Sequence, residues 1–264
     1  YYSYDEIREL ISYAKERGVI IMPEIDMPGH SAYFKNAFGF SMDSEEGKKV
    51  LERCIAEFCD EIPASMCPYL HIGSDEVYIS DPKGFMEFTE NLCRKYGRIA
   101  MAWDPGLPSD SSTVRQIWNT AAGSNAASTK KGGRYVDSFM GSLNYYDPIY
   151  FTNKVYMHTA CAQEIPDTTN ALGGILCLWN DVRVEDKTRI ALHNGMINGM
   201  MVFSERFWNA GKGSWDELVA FEDKMLFHKN VLLIVHLIHI YPQIFYPFPI
   251  HLLYYHILVL LFLY

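Results

Sequence analysis

The chain begins with an amphipathic segment followed by a short, continuously apolar one. Ser3 opens the pattern Ser-x-x-Glu, in which a serine and a glutamate three residues later cap each other's backbone N–H groups. Apolar residues then recur at helical spacing up to Gly18, so we predict a helix whose buried face contains Ile7, Leu10, Ile11 and Ala14. Residues 19–22 are apolar without a break, which is typical of a strand covered on both faces.

The same alternation of helical and strand patterns continues along the chain. Further helices are predicted at residues 43–61, 82–97, 123–131, 185–207 and 215–228, and strands at 69–72, 98–103, 113–118, 135–143 and 174–179. The stripe predicted to be buried on the helix at 43–61 includes Leu51, Cys54 and Ile55. Strands and helices that alternate at this spacing imply parallel β-α-β units, in a β/α barrel or in an open doubly wound sheet.

One observation favours the barrel, and the number of strands indicates that it is incomplete. No glycine-rich phosphate loop follows any predicted strand, which disfavours a nucleotide-binding doubly wound sheet. About six strands are predicted, and a closed (β/α)8 barrel needs eight. We therefore interpret the fold class as α/β, a (β/α)8 TIM-type barrel that is incomplete because its first two strands are missing.

Residues 230–264 depart from this pattern. No Lys, Arg, Asp or Glu occurs from Val231 to the end of the chain, and prolines interrupt the apolar run. A transmembrane helix needs about 20 uninterrupted apolar residues, which this segment does not supply. We assign residues 1–229 to the barrel domain and predict that residues 230–264 form an atypical apolar tail outside it rather than a membrane span.

Composition narrows the possible partners. The formal net charge is −9 and no basic block occurs, which argues against nucleic acid and anionic membranes as partners. The six cysteines include no Cys-x-x-Cys pair and resemble neither a disulfide scaffold nor a zinc site. No metal and no cofactor is therefore predicted.

Two adjacent carboxylates, Asp75 and Glu76, follow the predicted strand at residues 69–72. Neighbours in a regular strand point to opposite faces, but Gly73 allows the backbone to turn both into one pocket. Carboxylates that lie close together separate their pKa values, as general acid–base catalysis requires. An ordinary helix cap or loop opening is the alternative explanation of the pair.

A second polar cluster follows the first predicted strand. The run Pro-Glu-Ile-Asp-Met-Pro-Gly-His at residues 23–30 places Asp26 and His30 at the end of a buried strand. That placement is costly unless the groups are paired or functional. They could anchor a loop, or bind a metal ion together with His71 and Asp75, although the spacing matches no established ligand pattern.

Four later strand ends carry an aromatic residue beside a polar one. They are Trp103-Asp104, Trp118-Asn119, Tyr145-Tyr146-Asp147 and Trp179-Asn180-Asp181. A single tryptophan at such a position is usually part of the core. Four successive strand ends of this kind favour a binding cleft at the carboxyl edge of the sheet.

Taken in order, these motifs resemble glycoside hydrolase family 20, the β-N-acetylhexosaminidases. The resemblance rests on the run at residues 23–30, His-x-Gly-x-Asp-Glu at 71–76, Tyr-x-Asp at 145–147 and Trp-x-Asp at 179–181. It implies a barrel glycosidase without cofactor or metal. It also implies action on terminal, non-reducing N-acetylglucosamine or N-acetylgalactosamine of glycans, in an extracellular, cell-surface or lysosome-like compartment.

The resemblance also implies a mechanism that retains configuration and uses the substrate's own acetamido oxygen as nucleophile. Glu76 would protonate the leaving oxygen and later deprotonate water, and the neighbouring charge of Asp75 would help to keep it protonated. Asp75 would orient the acetamido N–H, Tyr145 would bind the acetamido oxygen, and His30 would tune the proton of Glu76. Trp103, Trp118 and Trp179 would wall the pocket, and Asp147 and Asp181 would accept hydrogen bonds from sugar hydroxyls.

The chain also departs from the family pattern. Ser74 stands where the family has a second glycine, a modest change if the backbone there avoids positive φ. Asp181 is shorter than the usual glutamate. The family's sugar-clasping arginine and the carboxylate partner of its histidine would precede Tyr1, so we expect little activity from this chain by itself. The alternatives are a glycan-binding remnant and a metal-dependent barrel hydrolase.

Overall fold

A computed structural model describes residues 2–119, 133–138, 148–158, 170–177, 196–209 and 213–240. Its helices are α1 (Tyr4–Lys15), α2 (Ala32–Phe38), α3 (Glu45–Glu61), α4 (Pro82–Lys95), α5 (Pro148–Met157), α6 (Met196–Trp208) and α7 (Trp215–Ile240). Its strands are β1 (Tyr69–His71), β2 (Ile99–Asp104), β3 (Val114–Ile117), β4 (Tyr135–Asp137) and β5 (Ala171–Gly174). The chain divides into two compact units, and the boundary falls within β3, between Arg115 and Gln116.

The strands follow the order β1-β2-β3-β4-β5 in one sheet. β1 and β2 are parallel, with His71 opposite Met101. β4 and β5 are also parallel, with a shift of register between Tyr135 and Asp137. Parallel neighbours in chain order, separated by helices, are what successive β-α-β units produce. The predicted α/β class is therefore confirmed.

Helix α1 begins as the sequence predicts. The backbone N–H of Glu6 donates to Ser3 Oγ at 3.3 Å, and the backbone N–H of Ser3 donates to Glu6 Oε2 at 2.7 Å. Ile11 and Ala14 are buried, but Leu10 is 46% exposed. The buried stripe is narrower than predicted because Ile11 packs against Ile62 and Cys67 in one small cluster, which covers only one side of the helix.

The core of the first unit lies between α3, β1, α4 and β2. Its buried residues include Leu51, Ile55, Cys59, Leu70, Ile72, Phe85, Met86, Ala100 and Ala102. Cys54, which we predicted to be part of the buried stripe of α3, is exposed. Cys59 takes part in the core instead, so the stripe continues through it.

The second unit has a core of its own. It lies between α5, α6 and α7 and contains Val155, Tyr156, Val202, Phe203, Leu218, Phe221 and Met225. Helix α7 runs without a break past residue 229, where we placed the end of the barrel domain. That domain boundary stays a prediction. Among the described residues, no helix is long and apolar enough to cross a membrane.

The prediction of a buried strand at residues 19–22 is wrong. Val19 is 37% and Ile20 is 62% exposed, and neither lies in a strand. Pairing with β1 begins further along, where the backbone N–H of His71 donates to Pro23 O at 2.9 Å and that of Ile25 donates to His71 O at 2.9 Å. An apolar run shows that a segment can be buried, but the hydrogen-bonding register decides which residues are.

The predicted strands at 135–143 and 174–179 differ from the observed ones. β4 ends at Asp137, and β5 begins at Ala171 and ends at Gly174. The strand predicted at 113–118 agrees with β3 to within one residue at each end. The helix predicted at 123–131 and the first part of the one predicted at 185–207 lie outside the described residues.

Candidate active site

The two polar motifs of the first unit meet because their backbones pair. The N–H of Ile25 donates to His71 O, and the N–H of Met27 donates to Ile72 O at 3.1 Å. The segment at residues 23–27 thus runs along β1 as a parallel neighbour. Asp26 and Asp75 consequently lie at the same end of adjacent chain segments, where α/β sheets place their functional groups.

Glycine is required where these segments touch. A Cβ on Gly73 would lie 1.8 Å from Asp26 Oδ1, and the φ of Gly73 is +66°. A Cβ on Gly29 would lie 2.7 Å from the carbonyl oxygen of Asp75. Only residues without a side chain permit so close an approach of the two loops.

His30 joins three carboxylates at this point. Its Nδ1 lies 2.6 Å from Asp26 Oδ2 and its Nε2 lies 3.2 Å from Glu76 Oε2. Asp75 Oδ1 is 3.9 Å from His30 Nδ1. The hydrogen bond with Asp26 is the main cause that raises the pKa of His30; partial burial opposes it and the contact with Glu76 adds to it.

Asp26 is thus the carboxylate partner of His30. We expected that partner to be missing, on the ground that the family's carboxylate would precede Tyr1. The structure supplies one four residues before the histidine, across the turn at Pro28 and Gly29. An i, i+4 spacing in a loop does not by itself predict a contact, so the sequence did not indicate this pair.

The adjacent carboxylates have unequal environments. Asp75 is 9% exposed and its Oδ1 has no hydrogen-bond partner, whereas the side chain of Glu76 is 58% exposed. Burial, reinforced by the charge of Asp26 and opposed by that of His30, raises the pKa of Asp75 to about 6. Our sequence interpretation placed the perturbed proton on Glu76, but the structure buries Asp75 instead.

The two loops that carry these groups have an unusual backbone. Ser74 has φ of +89°, Glu76 has φ of +50° and His30 has φ of +50°. Positive φ is uncommon for residues with a Cβ and favours glycine. We treated serine at position 74 as a modest change if φ there was not positive, and this condition is not met. Ser74 is also fully buried, and its Oγ has no hydrogen-bond partner.

A second network includes two buried rings, and the sequence interpretation missed it. Glu24 Oε1 lies 3.2 Å from His71 Nδ1 and accepts a hydrogen bond from Trp103 Nε1 at 3.1 Å. Burial alone would raise the pKa of Glu24, but the contacts with His71 and Trp103 outweigh it and lower that pKa. The period of two between Glu24 and Asp26 was the available signal, because it puts both side chains on one face of an extended segment.

The other predicted site residues have different outcomes. Trp103 lies at the end of β2, and Trp118 is partly buried just after β3. Asp104 forms a buried ion pair with Arg115, with Oδ2 and Nη1 2.7 Å apart. Tyr145, Asp147, Trp179 and Asp181 lie outside the described residues, so their roles stay predictions.

The structure brings together three of the four residues that we considered as metal ligands. Ligand atoms of Asp26, His30 and Asp75 all lie within 4.8 Å of one another, as a cation site would need. His71, the fourth residue we considered, contacts Glu24 through Nδ1, and its Nε2 is buried without a partner. The proposed four-residue set is therefore not assembled, and the direct hydrogen bond between Asp26 and His30 accounts for the close approach of these two residues.

Comparison with known proteins shows similarity to one family of glycoside hydrolases. Residues 1–41 match the model of the glycosyl hydrolase family 20 catalytic domain. The chain is 25% identical to a β-hexosaminidase of Porphyromonas gingivalis over 240 residues, which covers 68% of this chain and 30% of that protein. It is 26% identical to a β-N-acetylhexosaminidase of Cellulomonas fimi over 174 residues, 57% of this chain and 35% of that protein.

Solved structures agree on the fold. A family 20 exo-β-N-acetylglucosaminidase from Vibrio harveyi aligns with a TM-score of 0.66 at 18% identity, over 86% of this chain and 44% of that one. A catalytic module of the pneumococcal exo-β-D-N-acetylglucosaminidase StrH aligns with a TM-score of 0.59 at 17% identity, over 77% of this chain and 63% of that one. The fold is that of the α/β-barrel glycoside hydrolases. In sequence the chain is similar to the catalytic domain of glycosyl hydrolase family 20 and to β-hexosaminidases.

We expect Asp75→Asn to stabilise the protein at pH 7 by about 3 kcal/mol, because a pKa raised from 3.8 to about 6 costs roughly 1.4 kcal/mol per unit once the group is ionised. The folded pKa lies above the unfolded one, so this cost is absent below pH 4 and fully present above pH 6. Urea unfolding at pH 4, 5 and 7 measures it.

Asp110→Asn is the matched control, because hydrogen bonds from Ser112 and Arg94 outweigh burial and lower the pKa of Asp110 to about 2. Its substitution should therefore destabilise the protein at pH 7. An Asp75→Asn variant less stable than the wild type at pH 7 would contradict the burial argument.

We expect Ser74→Gly to raise the free energy of unfolding by about 1 kcal/mol, since glycine adopts φ of +89° without strain. Ser74→Ala separates the two causes, because it removes the unpartnered hydroxyl but keeps the Cβ. Thermal or urea unfolding should rank glycine above alanine at this position, and the reverse order would show that the backbone strain is negligible.

Proposed function

We propose that the protein is an exo-β-N-acetylhexosaminidase that hydrolyses terminal N-acetylglucosamine or N-acetylgalactosamine from glycans. The chain spans 30% and 35% of the length of the first two relatives, so this activity is inferred from them and from the site together. The observation that carries the proposal is the buried, unpartnered Oδ1 of Asp75 beside the hydrogen-bonded series Asp26, His30 and Glu76.

Asp75 is suited to hold the substrate's acetamido group. A buried carboxylate oxygen without a donor is costly, and an amide N–H from the substrate would satisfy it. The same negative charge would offset the positive charge that develops when the acetamido oxygen attacks C1 and an oxazolinium intermediate forms. A surface carboxylate could not do this as well, because water would screen it.

Glu76 is suited to transfer the proton. Its carboxylate is exposed at the edge of the site, where a leaving group and then a water molecule can reach it. Hydrogen bonding to His30 Nε2 orients it, and Asp26 on Nδ1 orients the imidazole in turn. Glu76 would protonate the glycosidic oxygen in the first step and deprotonate the attacking water in the second.

The remaining roles follow the family resemblance. Tyr145 would donate its hydroxyl to the acetamido oxygen. Asp147 and Asp181 would accept hydrogen bonds from sugar hydroxyls, and Trp103, Trp118 and Trp179 would enclose the acetamido methyl group and the sugar face. No metal or cofactor takes part in the proposed steps.

We expect Glu76→Gln to lower kcat for an aryl N-acetyl-β-glucosaminide at least 100-fold and Asp75→Asn to lower it by a similar or larger factor, because general acid–base and charge-stabilising groups each contribute on this scale. Initial rates of the complete protein measure both. Glu87→Gln, an exposed carboxylate on α4, is the control and should leave the rate unchanged.

Three outcomes would count against this assignment. Near-normal turnover by Glu76→Gln would remove Glu76 as the acid–base group. Tight binding of a thiazoline mimic of the oxazoline without any hydrolysis would favour a glycan-binding role. Activity that chelation abolishes and zinc restores would favour metal-dependent hydrolysis.

We expect kcat/KM to fall about tenfold per pH unit below pH 6, because Asp75 must be ionised to act and its pKa is raised to about 6. Protonation on acidification removes the cost of the buried charge, so this residue does not cause the loss through unfolding. The pH profile of kcat/KM, with unfolding curves at the same pH values as a control, tests this. A profile that stays flat to pH 4.5 would contradict the role given to Asp75.

A further inference from the structure

Trp103, at the end of β2, is a predicted pocket residue that lies in the first unit. It is 7% exposed, and its backbone N–H donates to Gly73 O at 2.9 Å, which ties it to the loop that carries Asp75. Its side chain lies on the same face of β2 as Met101, which is opposite His71 in the register. The indole and imidazole rings consequently pack with their centroids 4.9 Å apart.

Glu24 connects these two rings through one oxygen atom. Oε1 accepts from Trp103 Nε1 and lies 3.2 Å from His71 Nδ1. The backbone fixes the carboxylate as well, because Glu24 and His71 are bridge partners in the extended segment. An indole N–H and an imidazole therefore share a single acceptor, whose side chain is 37% exposed and is held by these two contacts.

Contacts on one edge of the ring hold His71 in place. The ring is 1% exposed and its Nε2 has no hydrogen-bond partner. Nδ1 lies 3.1 Å from the backbone N of Gly73, whose N–H points at it, and 3.2 Å from Glu24 Oε1. A proton on Nδ1 would be donated to Glu24, whereas a bare Nδ1 would accept from Gly73, so one tautomer cannot form both hydrogen bonds.

We propose that Glu24 and His71 are positioning residues that hold the indole of Trp103 in the substrate pocket at the end of β2. This inference rests on the proposed function, because it gives Trp103 a wall of the acetamido pocket. Glu24 supplies the acceptor that fixes the indole N–H, and His71 supplies the ring against which the indole packs. A displacement of the indole by about 1 Å would lower substrate affinity and rate far more than the loss of one hydrogen bond suggests.

Substitutions at Glu24 separate positioning from charge. Glu24→Gln keeps an acceptor oxygen for both donors and removes the charge, whereas Glu24→Met keeps the length and removes the acceptor. We expect Glu24→Met to weaken binding of the thiazoline mimic 10- to 100-fold and Glu24→Gln to weaken it less than about threefold, measured by calorimetry on the whole chain. Should Glu24→Met fail to fold, Glu24→Asp replaces it, because a shorter carboxylate keeps the charge but cannot reach both donors.

A double-mutant cycle with Trp103→Phe decides whether Glu24 acts through the indole. In the Trp103→Phe background the Glu24 variants should bind the mimic equally, within about twofold. Equal losses in both backgrounds would overturn the proposal, as would Glu24→Gln being as damaging as Glu24→Met. Glu90→Gln is the control for a general loss of stability. Glu90 is a buried carboxylate that accepts hydrogen bonds from the backbone N–H of Asp110 and the hydroxyl of Thr113, and it has no proposed role in the site.

The indole N–H resonance gives a readout that does not need ligand binding. It can be assigned by its disappearance in Trp103→Phe, and it should move upfield in Glu24→Met but stay near its wild-type position in Glu24→Gln. A wild-type chain that does not bind the mimic would count against the proposed function alone. A resonance that is unchanged in Glu24→Met would overturn the positioning role alone.

Discussion

The close contact between Asp26 and Gly73 is the constraint on which the candidate site depends. The carboxylate occupies the space that any side chain at position 73 would need, so the two segments can approach only at a glycine. This approach aligns residues 23–30 with the end of β1 and puts Asp26, His30, Asp75 and Glu76 within reach of one another. Without it, four polar residues distant in sequence would be separate loop residues with ordinary properties.

Two hydrogen-bonding systems share this strand end and differ in their exposure. The system of Asp26, His30 and Glu76 is open to solvent, so protons can enter and leave it. The system of Glu24, His71 and Trp103 consists of two buried rings and one carboxylate that is 37% exposed. Different residues therefore transfer protons and hold the indole of Trp103. A change of protonation at Glu76 or His30 need not move that indole.

The loop also stores free energy that a purely structural loop would not need. It buries the charge of Asp75 and holds Ser74 and Glu76 at positive φ, and His30 on the facing loop has positive φ as well. Such costs persist where the surrounding structure enforces them, and they are typical of functional sites. Burial is what raises the pKa of Asp75, so the destabilising feature and the chemical property have the same origin.

The secondary structure of the first unit and the choice of site residues could be predicted from local patterns. The capping box at Ser3, the boundaries of β3 and the importance of Asp75, Glu76 and His30 depend on residue types at short spacing, and these are visible in the sequence. The strand expected at residues 19–22, the burial of Cys54 and the backbone of Ser74 were predicted wrongly. Each depends on which distant segment lies alongside, and a local pattern carries no information about that.

The sequence by itself determined the α/β alternation, the family resemblance and the pair of carboxylates after β1, because all three are properties of residue order. The tertiary structure alone decided how strongly each carboxylate is buried and which residues contact it. Where residues 23–27 pair with β1, Asp75 is buried and Glu76 stays exposed. In the same place Asp26 contacts His30, and Glu24 accepts a hydrogen bond from Trp103. A pKa and a hydrogen bond depend on the distance and solvation of groups far apart in the chain, and only folding sets these.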